Sequence, residues 1–210
     1  MSTPRTPTAS RRARIVAASA LTLALGGSVL ACGQGSSGDP APDVSVQSSA
    51  TAQARQGVGP LKPSKPVRLV IPSAGVDASP VLDLGLDARQ ELEVPAADRA
   101  EQAGWYTGSV TPGERGASVL VAHYDTTAGP ALMREVAKMK TGDTIKVGRA
   151  DGSTATFKIR ETLQVEKTDF PTNKVYGTTK RAELRLITCG GPIRDGHRAD
   201  NIIFFADLVK

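Results

Sequence analysis

From about Val67 onward, apolar residues tend to recur at every second position in short runs, and Gly, Pro and Asp separate the runs. A period of two is the mark of strands with one face buried, and such punctuation is typical of β-rich chains. The pattern predicts strands over 67–71, 81–84, 91–94, 118–122, 144–147, 155–165, 184–188 and 201–208. Asp151-Gly152, between two of these runs, predicts a hairpin. One stretch has helical spacing: Leu132, Val136 and Met139 share a face over 131–139, with Pro130 before it and Gly142 after it. Shorter helical turns are expected over 96–103 and 174–176. Mostly antiparallel strands with one or two short helices predict a mainly β fold, closed or nearly closed as a barrel.

The N-terminal third has a different pattern. Arg5, Arg11, Arg12 and Arg14 precede an apolar or small run over 15–30, and no acidic residue occurs before Cys32. This order predicts an export signal over 1–31. Val29-Leu30-Ala31-Cys32 is similar to a bacterial lipobox, which would make Cys32 the lipidated N-terminus of the mature chain. An uncleaved anchor helix is the alternative, although a run of 16 residues is short against the ~20 needed to span a bilayer. Ser10-Arg11-Arg12 is compatible with twin-arginine export and does not decide the route. Residues 32–66 are rich in Ser, Gly, Ala, Gln and Pro and predict a flexible extracytoplasmic linker, leaving 67–210 as the folded domain.

The charge follows the same division. The chain carries 26 basic and 21 acidic residues, but four of the basic ones precede Cys32, leaving 22 against 21, a net charge of +1. A nucleic-acid partner thereby loses its main support, since such binding needs a concentrated positive face. If Cys32 is lipidated, Cys189 has no disulfide partner. One folded cysteine and two histidines also argue against the usual zinc ligand sets, and neither a metal nor an organic cofactor is expected.

The candidate chemistry lies at two predicted strand ends. Leu184-Arg185-Leu186-Ile187-Thr188 delivers Cys189 onto Gly190-Gly191, and Ser118-Val119-Leu120-Val121-Ala122 delivers His123. A free cysteine is usually a small buried hydrophobe. Paired with a histidine, it becomes a candidate nucleophile. His197, the second histidine, lies in a polar stretch between Arg194 and Ala199.

The chain resembles the sortases, cysteine transpeptidases of Gram-positive bacteria built on an eight-stranded β-barrel, and most closely the class F sortases of high-GC Gram-positive bacteria. The resemblance rests on segments in family order: Pro112-Gly113-Glu114, Ala122-His123-Tyr124-Asp125, Gly142-Asp143, Asp151-Gly152, Lys167 with Phe170-Pro171-Thr172, Val175-Tyr176-Gly177, Thr188-Cys189-Gly190-Gly191 and Asp200-Asn201. The family usually places Gly before its histidine and Val after it, where this chain has Ala122 and Tyr124.

The resemblance implies that Cys189 attacks a C-terminal sorting signal of the Leu-Pro-x-Thr-Gly type to form a thioacyl enzyme. His123 would act as acid and base. An arginine would bind substrate and stabilise the oxyanion, and both Arg198 and Arg194 qualify, with the family position near the start of the last strand favouring Arg198. Thr188 would line the site, Asp125 would orient His123 or cap a turn, and Tyr124, Trp105 and Tyr106 would line a substrate groove or the core. The implied partners are secreted proteins bearing the signal and an amine acceptor such as a peptidoglycan precursor, met by a monomer at the extracytoplasmic face of the membrane. Two readings compete: a sortase-like surface lipoprotein that only binds a partner, and a cell-wall cysteine peptidase of another family. L,D-transpeptidases place His-Gly just before the cysteine, and papain-like enzymes place the cysteine ahead of the histidine on a helix; neither pattern occurs here.

Overall fold

The computed structural model describes residues 58–210; the expected export signal, Cys32 and most of the expected linker lie outside them. Eleven strands are formed: β1 (Pro66–Ile71), β2 (Val76–Ala78), β3 (Leu82–Leu84), β4 (Gly104–Tyr106), β5 (Gly116–Val121), β6 (Asp125–Thr126), β7 (Gly129–Pro130), β8 (Thr144–Arg149), β9 (Thr154–Glu166), β10 (Ala182–Arg194) and β11 (His197–Leu208). Nine of them make one curled sheet in the order β2-β1-β8-β9-β11-β10-β5-β4-β3, and β6 and β7 form a separate hairpin. The two end strands, β2 and β3, are consecutive along the chain and only residues 79–81 separate them, so chain continuity brings the ends of the sheet together. The fold is the mainly β, nearly closed barrel expected, with nine strands instead of eight.

Alternation sorts the side chains into two apolar clusters. Leu69, Ile71, Leu120, Ala122, Leu184, Leu186, Ile202 and Phe204 fill the interior, while Val119, Val121, Ile187, Ile203 and Phe205 form a second cluster on the other face with Val175. Val175 belongs to α1 (Thr172–Tyr176), the one α-helix among the described residues. The central strand β10 is therefore buried on both faces, which explains its nearly unbroken apolar run.

Three sequence expectations are corrected. Residues 131–139 do not form an α-helix, because Ala131, Leu132 and Met133 are all buried, and three consecutive buried positions do not fit one helical face. Their N–H groups donate instead to Tyr124, Ala100 and His123 carbonyls, and only a 3-10 turn, Val136–Lys138, follows. Residues 91–94 form no strand: the Asp87 carboxylate accepts from the Arg89 and Glu91 N–H groups at 2.8 and 2.9 Å, tying the segment into a loop closed by a single Leu86–Leu92 bridge. The hairpin of β10 and β11 runs well past Cys189 to Arg194, across a bulge between Gly190 and Ile193. Gly191 in that bulge has φ +70°, and a Cβ there would lie 2.4 Å from the Asp200 carboxylate. Its role is this close approach.

The chain preceding β1 is tied to the barrel. Leu61 N–H donates to Gly113 O at 2.8 Å, Ser64 N–H to Thr111 Oγ1 at 2.9 Å, and the buried Arg149 guanidinium to the Lys62 carbonyl. The folded body thus takes in part of the stretch read as linker.

On the outer face of β10, Glu183 is 4% exposed and its Oε2 lies 2.8 Å from both Arg160 Nη2 and Arg185 Nη2, while the Thr179 hydroxyl donates to Oε1 at 2.6 Å. The Arg185 guanidinium also stacks on Phe205, 4.8 Å from its centroid. Burial alone would raise the Glu183 pKa, but Thr179, Arg160 and Arg185 outweigh it and hold the carboxyl down to about 2. Because the folded value is depressed, its contribution is complete above the unfolded value near 4.5 and is lost as pH falls towards about 2. Glu183→Gln is expected to cost about 3 kcal/mol by leaving Arg185 buried without its carboxylate, and to flatten the acid limb of stability between those two pH values. Denaturant melts of both chains from pH 2 to 7 check this; parallel acid limbs would contradict it.

Candidate active site

The site is built by the parallel pairing of β5 with β10. Gly116 pairs with Ala182 and Val121 with Ile187, an unbroken register. Ala122 N–H extends it by donating to Ile187 O at 3.1 Å. Two residues beyond the Val121–Ile187 pair lie His123, just past the end of β5, and Cys189, still within β10, at the same level. By alternation both continue the face of Val121 and Ile187, so they sit over the second apolar cluster, outside the barrel interior. Thr188 has the opposite parity, following Leu184 and Leu186. It is 1% exposed and its hydroxyl has no partner among the described residues.

A groove of about 1710 Å³ runs over this face. Cys189, His123, Arg198, Asp125 and Tyr124 line its reactive end, and Val121, Ile187, Tyr106 and Tyr176 line its apolar length. Tyr106 and Tyr176 meet edge to face at 6.1 Å. Trp105, one position earlier on β4, points the other way into the core, and its Nε1–H donates to Ser109 Oγ at 3.1 Å and Val110 O at 3.2 Å. Of the two adjacent aromatics, Tyr106 serves the groove and Trp105 the core.

The His123 imidazole is held by the loop over 85–97, with Nε2 2.6 Å from the Pro95 carbonyl. A carbonyl only accepts, so Nε2 carries the proton and Nδ1 is the nitrogen left to exchange one with the groove. Met133 N–H donates to the His123 carbonyl at 2.8 Å, so the buried start of the 131–139 segment fixes the backbone of this residue.

The two arginines separate clearly. Arg198 is 7% exposed, donates from Nε and Nη2 to Asp125 Oδ2 at 2.9 and 2.7 Å, donates from Nη1 to Gly191 O at 3.1 Å, and lies 5.0 Å over the Tyr124 ring. Arg194 is exposed on the hairpin and pairs with Glu166 at 3.1 Å. The structure thus brings Arg198, and not Arg194, to Cys189. Asp125, expected to orient His123 or cap a turn, instead grips Arg198 from the β6–β7 hairpin. His197 is exposed at the groove margin, at the start of β11.

Burial pushes the Cys189 thiol above its usual value near 9; Lys167 opposes that rise, Asp125 adds to it, and Arg198 again opposes it. At neutral pH the resting sulfur is therefore mainly the thiol. The sequence reading missed two contributors. Lys167 was legible only as a motif residue without a role, and no residue pattern marks the Pro95 carbonyl as a partner of His123.

Sortase C-1 from Actinomyces oris is 24% identical with a TM-score of 0.52, over 70% of this chain and 76% of that one. A lid mutant of sortase A from Corynebacterium diphtheriae is 18% identical with a TM-score of 0.52, over 71% and 73%. The sortase D5 transpeptidase of Clostridium perfringens is 18% identical with a TM-score of 0.50, over 70% and 79%. These likenesses establish the shared fold. No curated protein matches the chain. The family model for the sortase domain matches residues 69–209, nearly the whole of the curled sheet and the site it carries, and the chain belongs to the sortase family.

Proposed function

We propose that this chain is a cysteine transpeptidase that cleaves a C-terminal sorting signal of the Leu-Pro-x-Thr-Gly type and passes the acyl group to an amine at the cell envelope, as a class F sortase. The observation that carries the reading is the meeting of His123, Cys189 and Arg198 at one end of a peptide-sized groove in a sortase fold.

The Cys189 proton passes to His123, and the thiolate sulfur bonds to the scissile carbonyl carbon. Collapse of the tetrahedral intermediate breaks the C–N bond, and the imidazolium gives its proton to the departing amine. An acceptor amine then loses a proton to neutral His123, bonds to the thioester carbon and releases the Cys189 sulfur, which recovers a proton. Arg198 faces the carbonyl oxygen as charge develops, and its Asp125 and Gly191 contacts hold the fork in place beforehand. Thr188 supports Cys189 from the interior side of β10. The substrates are secreted proteins bearing the signal and the acceptor is a peptidoglycan precursor amine. The protein works as a monomer held at the outer membrane surface through lipidated Cys32 or an N-terminal anchor.

A fluorogenic sorting peptide should be turned over by the wild-type chain and not by Cys189→Ala; equal turnover would contradict the mechanism. Arg198→Ala is expected to lower kcat/KM about 100-fold or more, whereas Arg194→Ala should leave it within about 2-fold, since an exposed ion pair contributes little. The reverse ranking would assign the role to Arg194. Alkylation of Cys189 should rise with pH, with a midpoint above that of a free thiol; a plateau already reached at neutral pH would contradict a thiol pushed up by burial.

A further inference from the structure

The positive charges around Cys189 differ in what already holds them. Arg198 gives two of its bonds to the Asp125 carboxylate, so its charge is largely compensated. Arg194, farther along the hairpin, is compensated by Glu166. Lys167 differs from both: it is exposed, it lines the groove, and among the described residues it forms no salt bridge.

The register explains how it reaches the site. Cys189 pairs with Asn201, and Asn201 pairs with Val165, so the three residues form one rung across β10, β11 and β9. Two strand spacings put Val165 about 10 Å from Cys189. Lys167 is two residues beyond Val165, at the start of the 3-10 turn Lys167–Asp169 that follows β9. Lys167 lines the same groove as Cys189, and its charge is felt at the sulfur.

We propose that Lys167 is a positioning residue of the Cys189 chemistry, its ammonium being the uncompensated positive charge that supports the thiolate from the groove wall. The proposal rests on Cys189 acting as the nucleophile. The ionisable groups around the sulfur divide by element. His123 follows β5, Asp125 comes from β6 and Arg198 from β11. His197 and Glu91 stand at the groove margins. Of these, Asp125 opposes the anion, and Lys167 and Arg198 favour it. Removing Lys167 leaves an Asp125–Arg198 pair of nearly zero net charge beside the sulfur.

The test measures the thiol directly, apart from peptide cleavage. Full-length wild type, Lys167→Met and Lys167→Arg are alkylated with iodoacetamide from pH 6 to 11, and labelling is read by mass spectrometry on the peptide containing Cys189, which keeps Cys32 separate. Lys167→Met is expected to move the alkylation midpoint up by about half a pH unit, slowing labelling about 3-fold at a fixed pH below it, and Lys167→Arg to stay with wild type. Coinciding midpoints for wild type and Lys167→Met would overturn the proposal, as would Lys167→Arg shifting as far as Lys167→Met. If the shift occurs and no sorting peptide is cleaved by wild type, the role beside the thiol stands and the transpeptidase reading fails.

Discussion

The site depends on the unbroken parallel register between β5 and β10. Parallel neighbours need a long crossover, and here residues 122–181 supply it, including β8, β9 and α1. The reward is that two strands run in the same direction in fixed register, so His123, just past the end of β5, comes level with Cys189 within β10. A slip of one residue would send one of them to the barrel interior. The slip is opposed by burial on both faces of β10, since Leu184 and Leu186 fill the interior while Ile187 packs outside, and neither set tolerates exchange.

Around this rigid pair the other groups are supplied by more local means. The bulge at Gly190–Ile193 strengthens the twist of the β10–β11 hairpin and lets Arg198 reach the Gly191 carbonyl. The short β6–β7 hairpin exists to present Asp125 to that arginine, and the loop over 85–97 presents a backbone carbonyl to His123. The result is a site whose cationic and imidazole groups are held before substrate arrives, beside a thiol whose pKa burial pushes up. The same face carries the Glu183, Arg160 and Arg185 cluster a few residues upstream, so β10 bears structural charge at one end and reactive sulfur at the other.

What the sequence revealed follows from how local each signal is. The runs at 118–122 and 184–188 were legible because period-two burial is written in consecutive residues, and Cys189 and His123 could be placed at their ends on that basis. β2 and β4 are as short as β3 but lack the alternating Leu82 and Leu84 that marked it, and were missed. The 131–139 segment misled because Leu132, Val136 and Met139 have helical spacing, while the burial of Met133 between them is a tertiary fact. Asp125 stood in a recognisable motif, yet its partner Arg198 lies 73 residues away. No local pattern reports contacts of that range.

The central claim is that the β5–β10 register makes the Cys189 sulfur the atom that takes the acyl group. Mixing the full-length chain with a sorting peptide in the absence of an acceptor amine, quenching in acid and measuring intact and peptide masses tests it most directly. The account predicts a mass increase equal to the peptide portion upstream of the cut, located on Cys189 and released by hydroxylamine. Cleaved peptide with Cys189 unmodified at every time point, or an acyl group located on another residue, would contradict it.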